Sequence, residues 1–136
     1  MRGVQRGSVV IVGVAESDLG AVPPGTMPVD LMAQASQRAI EDAGLTLSDI
    51  DGVFVASNQM RMASQNLCEY VRISPRYFDS TNVGGASSLV QLAEAQAAIE
   101  SGACETALVV YASTQRLESR AAASPRRRSR SPSPPR

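Results

Sequence analysis

Histidine, lysine and tryptophan are absent from this 136-residue chain. Without histidine, no Ser-His-Asp or Cys-His catalytic set can be completed within these residues, and a histidine-based metal site is excluded. Aromatic residues make up 4% of the chain, so its core must be built from Val, Ile, Leu, Met and Ala. The two cysteines, Cys68 and Cys104, are far apart and do not form a CxxC pair. That usage points to reduced thiols inside a cell, and hence to a cytoplasmic location. No apolar run is long enough to span a membrane, because "SVVIVGVA" is followed at once by Glu16 and Asp18. The start therefore reads as a first strand and not as a signal peptide.

The formal net charge of zero hides a segregation. Residues 1–119 hold thirteen acids against seven arginines, a net of −6, while residues 120–136 hold six arginines and no acid. A body of about one domain's length is expected at 1–119, followed by a disordered Arg/Ser/Pro-rich tail at 120–136. The tail "SPRRRSRSPSPPR" admits two readings. Clustered arginines would bind phosphate backbones, although the acidic body argues against a nucleic-acid partner. Its GC-rich codon types also fit a segment translated from a shifted reading frame.

Along the body, apolar β-branched runs alternate with helical periodicity. Strands are predicted at Ser8–Ala15, Gly52–Ser57, Arg76–Val83 and Glu105–Ser113. The first helix is predicted over Thr26–Gly44, with Thr26 as cap, Pro28 in the first turn and Gly44 as stop. Its apolar face comprises Leu31, Met32, Ala35, Ala39, Ile40 and Ala43. A short helix is predicted over Asn66–Ile73, and an Ala-rich one from Gly84 to Gly102. Strands joined by helices of crossover length define an α/β chain of βαβαβαβ order, with a mainly parallel sheet flanked by helices. The crossovers should be right-handed.

The candidate site is "TNVGGASS", Thr81 to Ser88. Glycines and small hydroxyl residues open a helix there, a place that favours anions and activates a thiol. They also serve simple close packing and capping by Ser87 or Ser88. The serine-hydrolase elbow G-x-S-x-G is not met, because Leu89 stands where the last glycine is required. "GVAESDLG" departs from G-x-G-x-x-G and carries acids where phosphate would lie. Cys68 and Cys104 read as small buried apolar residues, and Glu16, Asp18, Asp79 and Glu94 as scattered surface acids.

Four blocks in order, "VVIVGVAESDLG", "DLMAQASQRAIEDAGLTLSDIDGVFVAS", "RYFDSTNVGGASS" and "ETALVVYASTQR", resemble the N-terminal half of the thiolase superfamily, nearest its sterol-carrier-type, lipid-transfer branch. The resemblance covers about residues 8–116. It implies an incomplete thiolase-fold half and acyl transfer between coenzyme A thioesters, with no cofactor and no metal. In that family a cysteine nucleophile sits in a turn of the type N-x-V-C-A-S-G. On this sequence Asn82 takes the Asn place, Gly84 stands for Val, Gly85 for the Cys, and Ser87 matches. Asn82, Gly84, Gly85 and Ser87 are thus the implied substrate-binding positions, and no catalytic residue is left. The resemblance also implies that Tyr77, Phe78, Asp79, Ser80, Thr81 and Asn82 form an edge strand pairing across a homodimer. A thiolase-like or OB-fold partner, as in retro-aldolase relatives, is the alternative. The likeness ends near Arg116, so a truncated chain without its own thiolase turnover, and without further elements after the fourth strand, is expected.

Overall fold

A computed structural model describes residues 7–123. The elements are α1 (Pro28–Asp42), β1 (Gly52–Ala56), α2 (Ala63–Val71), β2 (Tyr77–Asp79), α3 (Ser87–Glu100), β3 (Ala107–Tyr111) and α4 (Gln115–Ala123). Short 3-10 turns lie at Leu47–Asp49 and Gly84–Ala86.

The sheet is parallel, with order β2-β1-β3. β1 is central: Gly52 pairs with Tyr77 on one side and Ala107 on the other. All five of its residues are buried, as expected of a strand covered on both faces. The chain steps one way across the sheet from β1 to β2 and back the other way from β2 to β3. Crossovers of the same hand must then place α2 and α3 on opposite faces. The core divides accordingly. Val53, Val55, Leu108 and Val110 pack with Met32 and Ile40 of α1 and Leu67 of α2. Phe54 packs on the other face with Ala95 and Ala98 of α3 and with Cys104.

Helix α1 buries Val29, Met32, Ser36 and Ile40, an i, i+3/i+4 stripe. Expected face residues Leu31, Ala35, Ala39 and Ala43 lie at its margins, half-buried. Met27, and not Thr26, is the N-cap; the Thr26 hydroxyl bonds back to the Pro23 carbonyl instead. The Met27 N–H is taken by the Asp30 carboxylate at 2.8 Å. Pro28 stands at the first helical position, where no N–H is needed.

Several expectations are corrected. Ser8–Ala15 belongs to no strand; it runs without a ladder partner among the described residues. The sheet therefore has three strands, not four. β2 is confined to Tyr77–Asp79, because the Asp79 carboxylate accepts both the backbone N–H and the hydroxyl of Thr81, turning the chain out of the sheet. Ser80, Thr81 and Asn82 thus lie in a loop beyond the edge strand. α2 begins at Ala63, three residues before the predicted start, and ends at Arg72 in the left-handed region before Pro75 is reached. The chain continues after β3 into α4, which runs through Ala123, so the boundary expected at residue 119 falls inside a helix. Ala121 to Ala123 are strong helix formers, which explains the extension. The rest of the expected tail, 124–136, lies outside the described residues.

Candidate functional site

All three strands point their C-terminal ends the same way, and the chain leaving β2 there forms the turn Thr81–Ser88. Open parallel sheets present ligand sites at this end. The turn is locked by its own side chains. The Asn82 amide nitrogen donates to the Ser57 carbonyl at 3.1 Å and to Asn58 Oδ1 at 2.7 Å. Its oxygen accepts from the Gly84 N–H at 3.0 Å and lies 3.3 Å from Ser87 Oγ. Ser87 Oγ in turn accepts the Val83 N–H at 3.0 Å and donates to the Gly84 carbonyl at 2.6 Å. Neither Ser87 nor Ser88 caps α3 as expected: Ala86 is the N-cap without a side-chain bond, and buried Ser87 is spent on the turn itself. These bonds join Asn82, Gly84 and Ser87 to one another.

Gly84 has φ +74°, where glycine is the residue without strain. A Cβ added at either glycine would meet nothing within 4 Å, but Gly85 has no positive φ to oppose it. The position at the mouth of α3 is therefore open to a side chain and carries none. The turn is exposed from Asn82 to Ala86.

Behind the turn, Gln91 is fully buried; its amide nitrogen donates to the Thr81 carbonyl at 3.2 Å, and its Oε1 has no partner. Gln59 closes the other side. Its Oε1 accepts the Thr114 N–H and the Ser113 hydroxyl, both at 2.9 Å, and its Nε2 donates to Glu118 at 2.7 Å. Sequence reasoning missed Asn58, Gln59 and Gln91, because isolated amides carry no motif.

The opposite end of the sheet is built around Asp51, also missed. Its carboxylate accepts the N–H groups of Glu105 and Thr106, both at 2.8 Å, and pairs with Arg76 at 3.6 Å. Its carbonyl accepts Tyr77 N–H at 3.1 Å. Asp51 thus gathers the starts of all three strands and has a structural role. A groove lined by Leu47, Ile50, Val71 and Ile73 lies near that end, away from the turn.

The cysteines offer no nucleophile. Both are buried and free. Burial pushes the Cys68 thiol up, and burial followed by the Asp51 charge pushes up Cys104. Cys104 lies in the loop before β3. The acids stay dispersed: Asp18 pairs with Arg38 at 2.8 Å, and Asp79 serves Thr81. Among the described residues no three metal-ligating side chains converge, and no helix is long and apolar enough to cross a membrane.

A parallel sheet with helices on both faces and a polar, glycine-containing turn at the mouth of a following helix defines the class: an α/β chain with that turn at the strand C-termini. The particular fold is the thiolase fold, of which this chain carries a part. It is similar to OleA from Xanthomonas campestris, with 18% identity and TM-score 0.65, covering 71% of this chain and 30% of that one. It is similar to a monomeric SCP2-thiolase like protein type 1 from Mycobacterium smegmatis, with 21% identity and TM-score 0.58, over 74% and 22% of the two chains. The Ltp2-ChsH2(DUF35) aldolase aligns at 24% identity and TM-score 0.56, over 74% and 28%. The chain thus spans less than a third of each of these proteins. No family model matches the sequence, and no curated protein matches it.

Proposed function

We propose that this chain is a thiolase-like acyl-CoA acyltransferase family member without a covalent step of its own. The observation that carries the reading is Gly85. It stands at the mouth of α3 with open space where a side chain would be. Covalent acyl transfer needs a thiolate to attack the thioester carbonyl, with the coenzyme A thiolate leaving, and a base to remove the thiol proton. Gly85 supplies no sulfur, and the 136 residues contain no histidine. What remains is a polar turn of Asn82, Gly84 and Ser87, suited to orienting an acyl group and not to attacking it. A coenzyme A thioester is the ligand class of this reading, and the cytoplasm its location.

The test uses acetyl-CoA labelled in the acetyl group. The wild-type chain is expected to take up no label and to leave acetoacetyl-CoA plus coenzyme A unchanged. At about pH 9, where a thiol ionises without a protein base, Gly85→Cys is expected to acquire label that hydroxylamine releases. Turnover by the wild-type chain would overturn the reading. So would a Gly85→Cys thiol that is alkylated by iodoacetamide yet never acetylated.

Likeness to the Ltp2-ChsH2(DUF35) aldolase supports a second reading, a non-catalytic subunit of a thiolase-like retro-aldolase complex. In it the exposed edge at Tyr77 and Phe78 serves pairing, either in a homodimer or with an OB-fold partner. Phe78→Pro, which leaves the inward Tyr77 N–H bond to Asp51 in place, would then lower self-association measured by sedimentation, and an unchanged sedimentation coefficient would count against that edge.

A further inference from the structure

Gln59 stands just beyond β1, half-buried, and commits its whole carboxamide to distant parts of the chain. Its Oε1 accepts the Thr114 N–H and the Ser113 hydroxyl, both at 2.9 Å. Its Nε2 donates to Thr114 Oγ1 at 3.0 Å and to the Glu118 carboxylate at 2.7 Å. Two acceptor lone pairs and two N–H donors are all that a carboxamide has. The bond to Glu118 is charge-assisted, and such bonds are about twice as strong as neutral ones.

What Gln59 grips is the start of α4. Thr114 is buried, and its carbonyl receives the N–H groups of Leu117 and Glu118 at 2.9 and 3.2 Å. Glu118 lies in the first turn of that helix.

The preceding residue faces the turn Thr81–Ser88 instead. Asn58 Oδ1 accepts the Asn82 amide at 2.7 Å, and the Ser57 carbonyl accepts the same nitrogen at 3.1 Å. The Gln59 N–H donates to Ser57 Oγ at 3.1 Å, which closes residues 57–59 into a compact turn. Asn58 and Gln59 therefore move together. Asn82 holds the Gly84 N–H at 3.0 Å, beside the open position at Gly85. Polar contacts thus run without a break from Glu118 through Gln59, Asn58 and Asn82 to Gly84.

We propose that Gln59 is a positioning residue, which passes the docked state of α4 to Asn82 and so sets how the backbone beside Gly85 meets a ligand. This rests on the reading of Thr81–Ser88 as a turn that orients an acyl ligand. When α4 undocks, Gln59 loses its charged partner, residues 57–59 loosen, and Asn82 loses both of its anchors on the central strand. A side chain that merely stapled α4 would leave the far end of this path unchanged.

The test uses the full 136-residue chain carrying Gly85→Cys, whose new thiol reports on the turn with no acyl ligand present. Alkylation of that thiol by iodoacetamide is followed between about pH 6 and pH 10, a range that spans the ordinary thiol value. An ordered helix N-terminus favours the thiolate, so a loosened turn raises the midpoint of the profile. Gln59→Glu sets a carboxylate against Glu118 and is expected to raise the midpoint by about half a unit. Adding Glu118→Gln reverses the hydrogen bond, with the new amide donating to the new carboxylate, and should restore the original midpoint. Because the charge at residue 59 stays in the double variant, restoration shows that the contact and not the charge sets the thiol. Glu118→Ala, a change confined to the surface of α4, should raise the midpoint in the same direction and decides the matter if Gln59→Glu fails to fold. The proposal is overturned by an unmoved midpoint in Glu118→Ala, or by a raised one in Gln59→Glu that Glu118→Gln does not restore. Either result leaves the acyl-CoA reading standing, since no thioester enters the assay.

Discussion

The Asn82 amide reaches the Ser57 carbonyl at 3.1 Å, tying the turn that opens α3 to the end of the central strand. The same side chain holds Gly84 N–H at 3.0 Å and Asn58 at 2.7 Å. Asn82→Ala removes these bonds at once. Because Asn82 is exposed, water replaces some of them, and the expected loss is about 1–2 kcal/mol in urea unfolding. Asn82→Asp keeps the acceptor but not the donor. It should lose the Ser57 and Asn58 links, keep the Gly84 link, and fall between wild type and alanine. Equal stability of all three would mean that the turn is held by Ser87 without Asn82.

Adjacent glycines should respond in opposite ways. Gly84→Ala places a Cβ at φ +74° and is expected to cost about 1 kcal/mol or more. Gly85→Ala enters open space and should be neutral or slightly stabilising, by less than about 1 kcal/mol. The difference between the two midpoints in thermal unfolding checks this. The same openness predicts that a Gly85→Cys thiol is alkylated faster than Cys68 or Cys104. Those two are buried, while the new thiol sits at the positive end of a helix.

Gly52 and Cys104 form a contact that fixes the start of the sheet. A Cβ on residue 52 would stand 2.7 Å from Cys104 Sγ and 3.1 Å from its Cβ. Gly52→Ala is expected to cost about 1–3 kcal/mol as an overpacked core. Cys104→Ala removes the nearer atom. The double variant should therefore be more stable than the sum of the single effects predicts, a positive coupling measurable in a double-mutant cycle. Additive effects would mean that the strand shifts to make room.

Much of this was legible in the sequence, and the failures have physical causes. β1 and β3 were found because a strand covered on both faces reads as an uninterrupted apolar run. Residues 9–15 read identically, yet form no ladder with a described strand, because local composition reports what a strand would bury and not where its chain runs. Ser36 was passed over on polarity, although it stands four residues from both Met32 and Ile40 on the buried stripe of α1. The Thr81–Ser88 turn was visible through its glycines and hydroxyls. Asp51 and Gln59, which clamp the two ends of the sheet, act through main-chain groups brought together from distant parts of the chain, and no spacing rule reveals that.

Arg72 closes α2 with φ +61°, a left-handed conformation that non-glycine residues adopt at a cost. Its N–H, and that of Ile73, return to the Cys68 carbonyl, so the position is a helix C-cap. Glycine is the usual residue at such a cap. Arg72→Gly is expected to stabilise the chain by about 0.5–1 kcal/mol, relief of strain exceeding the added freedom of the unfolded chain. A fall in the thermal midpoint would show instead that the Arg72 stem contributes packing in the groove it shares with Ile73.

The Tyr70 hydroxyl donates to Asp30 at 2.6 Å, joining α2 to the first turn of α1. That bond, with the Met27 N–H, holds the Asp30 carboxyl below its ordinary value of 3.8. The same bond and the carboxylate charge raise Tyr70 above its ordinary 10.0. The signs follow by linkage. Asp30 is depressed on folding, so its contribution is present above about pH 4 and is lost as the pH falls further. Tyr70 is raised, so its contribution is present below about pH 10 and is lost as the pH climbs through the folded value. Tyr70→Phe should therefore reduce both the acid and the alkaline slopes of stability against pH. Asp30→Asn should flatten the acid slope more strongly, because it also removes the charged partner of Met27 N–H. Both side chains are solvent-facing, so the effects are small and are best read as changes of slope in denaturant midpoints between pH 3 and 5 and above pH 9, ranges set by the ordinary values of the two groups. A Tyr70→Phe profile parallel to wild type at both ends would show that water replaces the bond without loss.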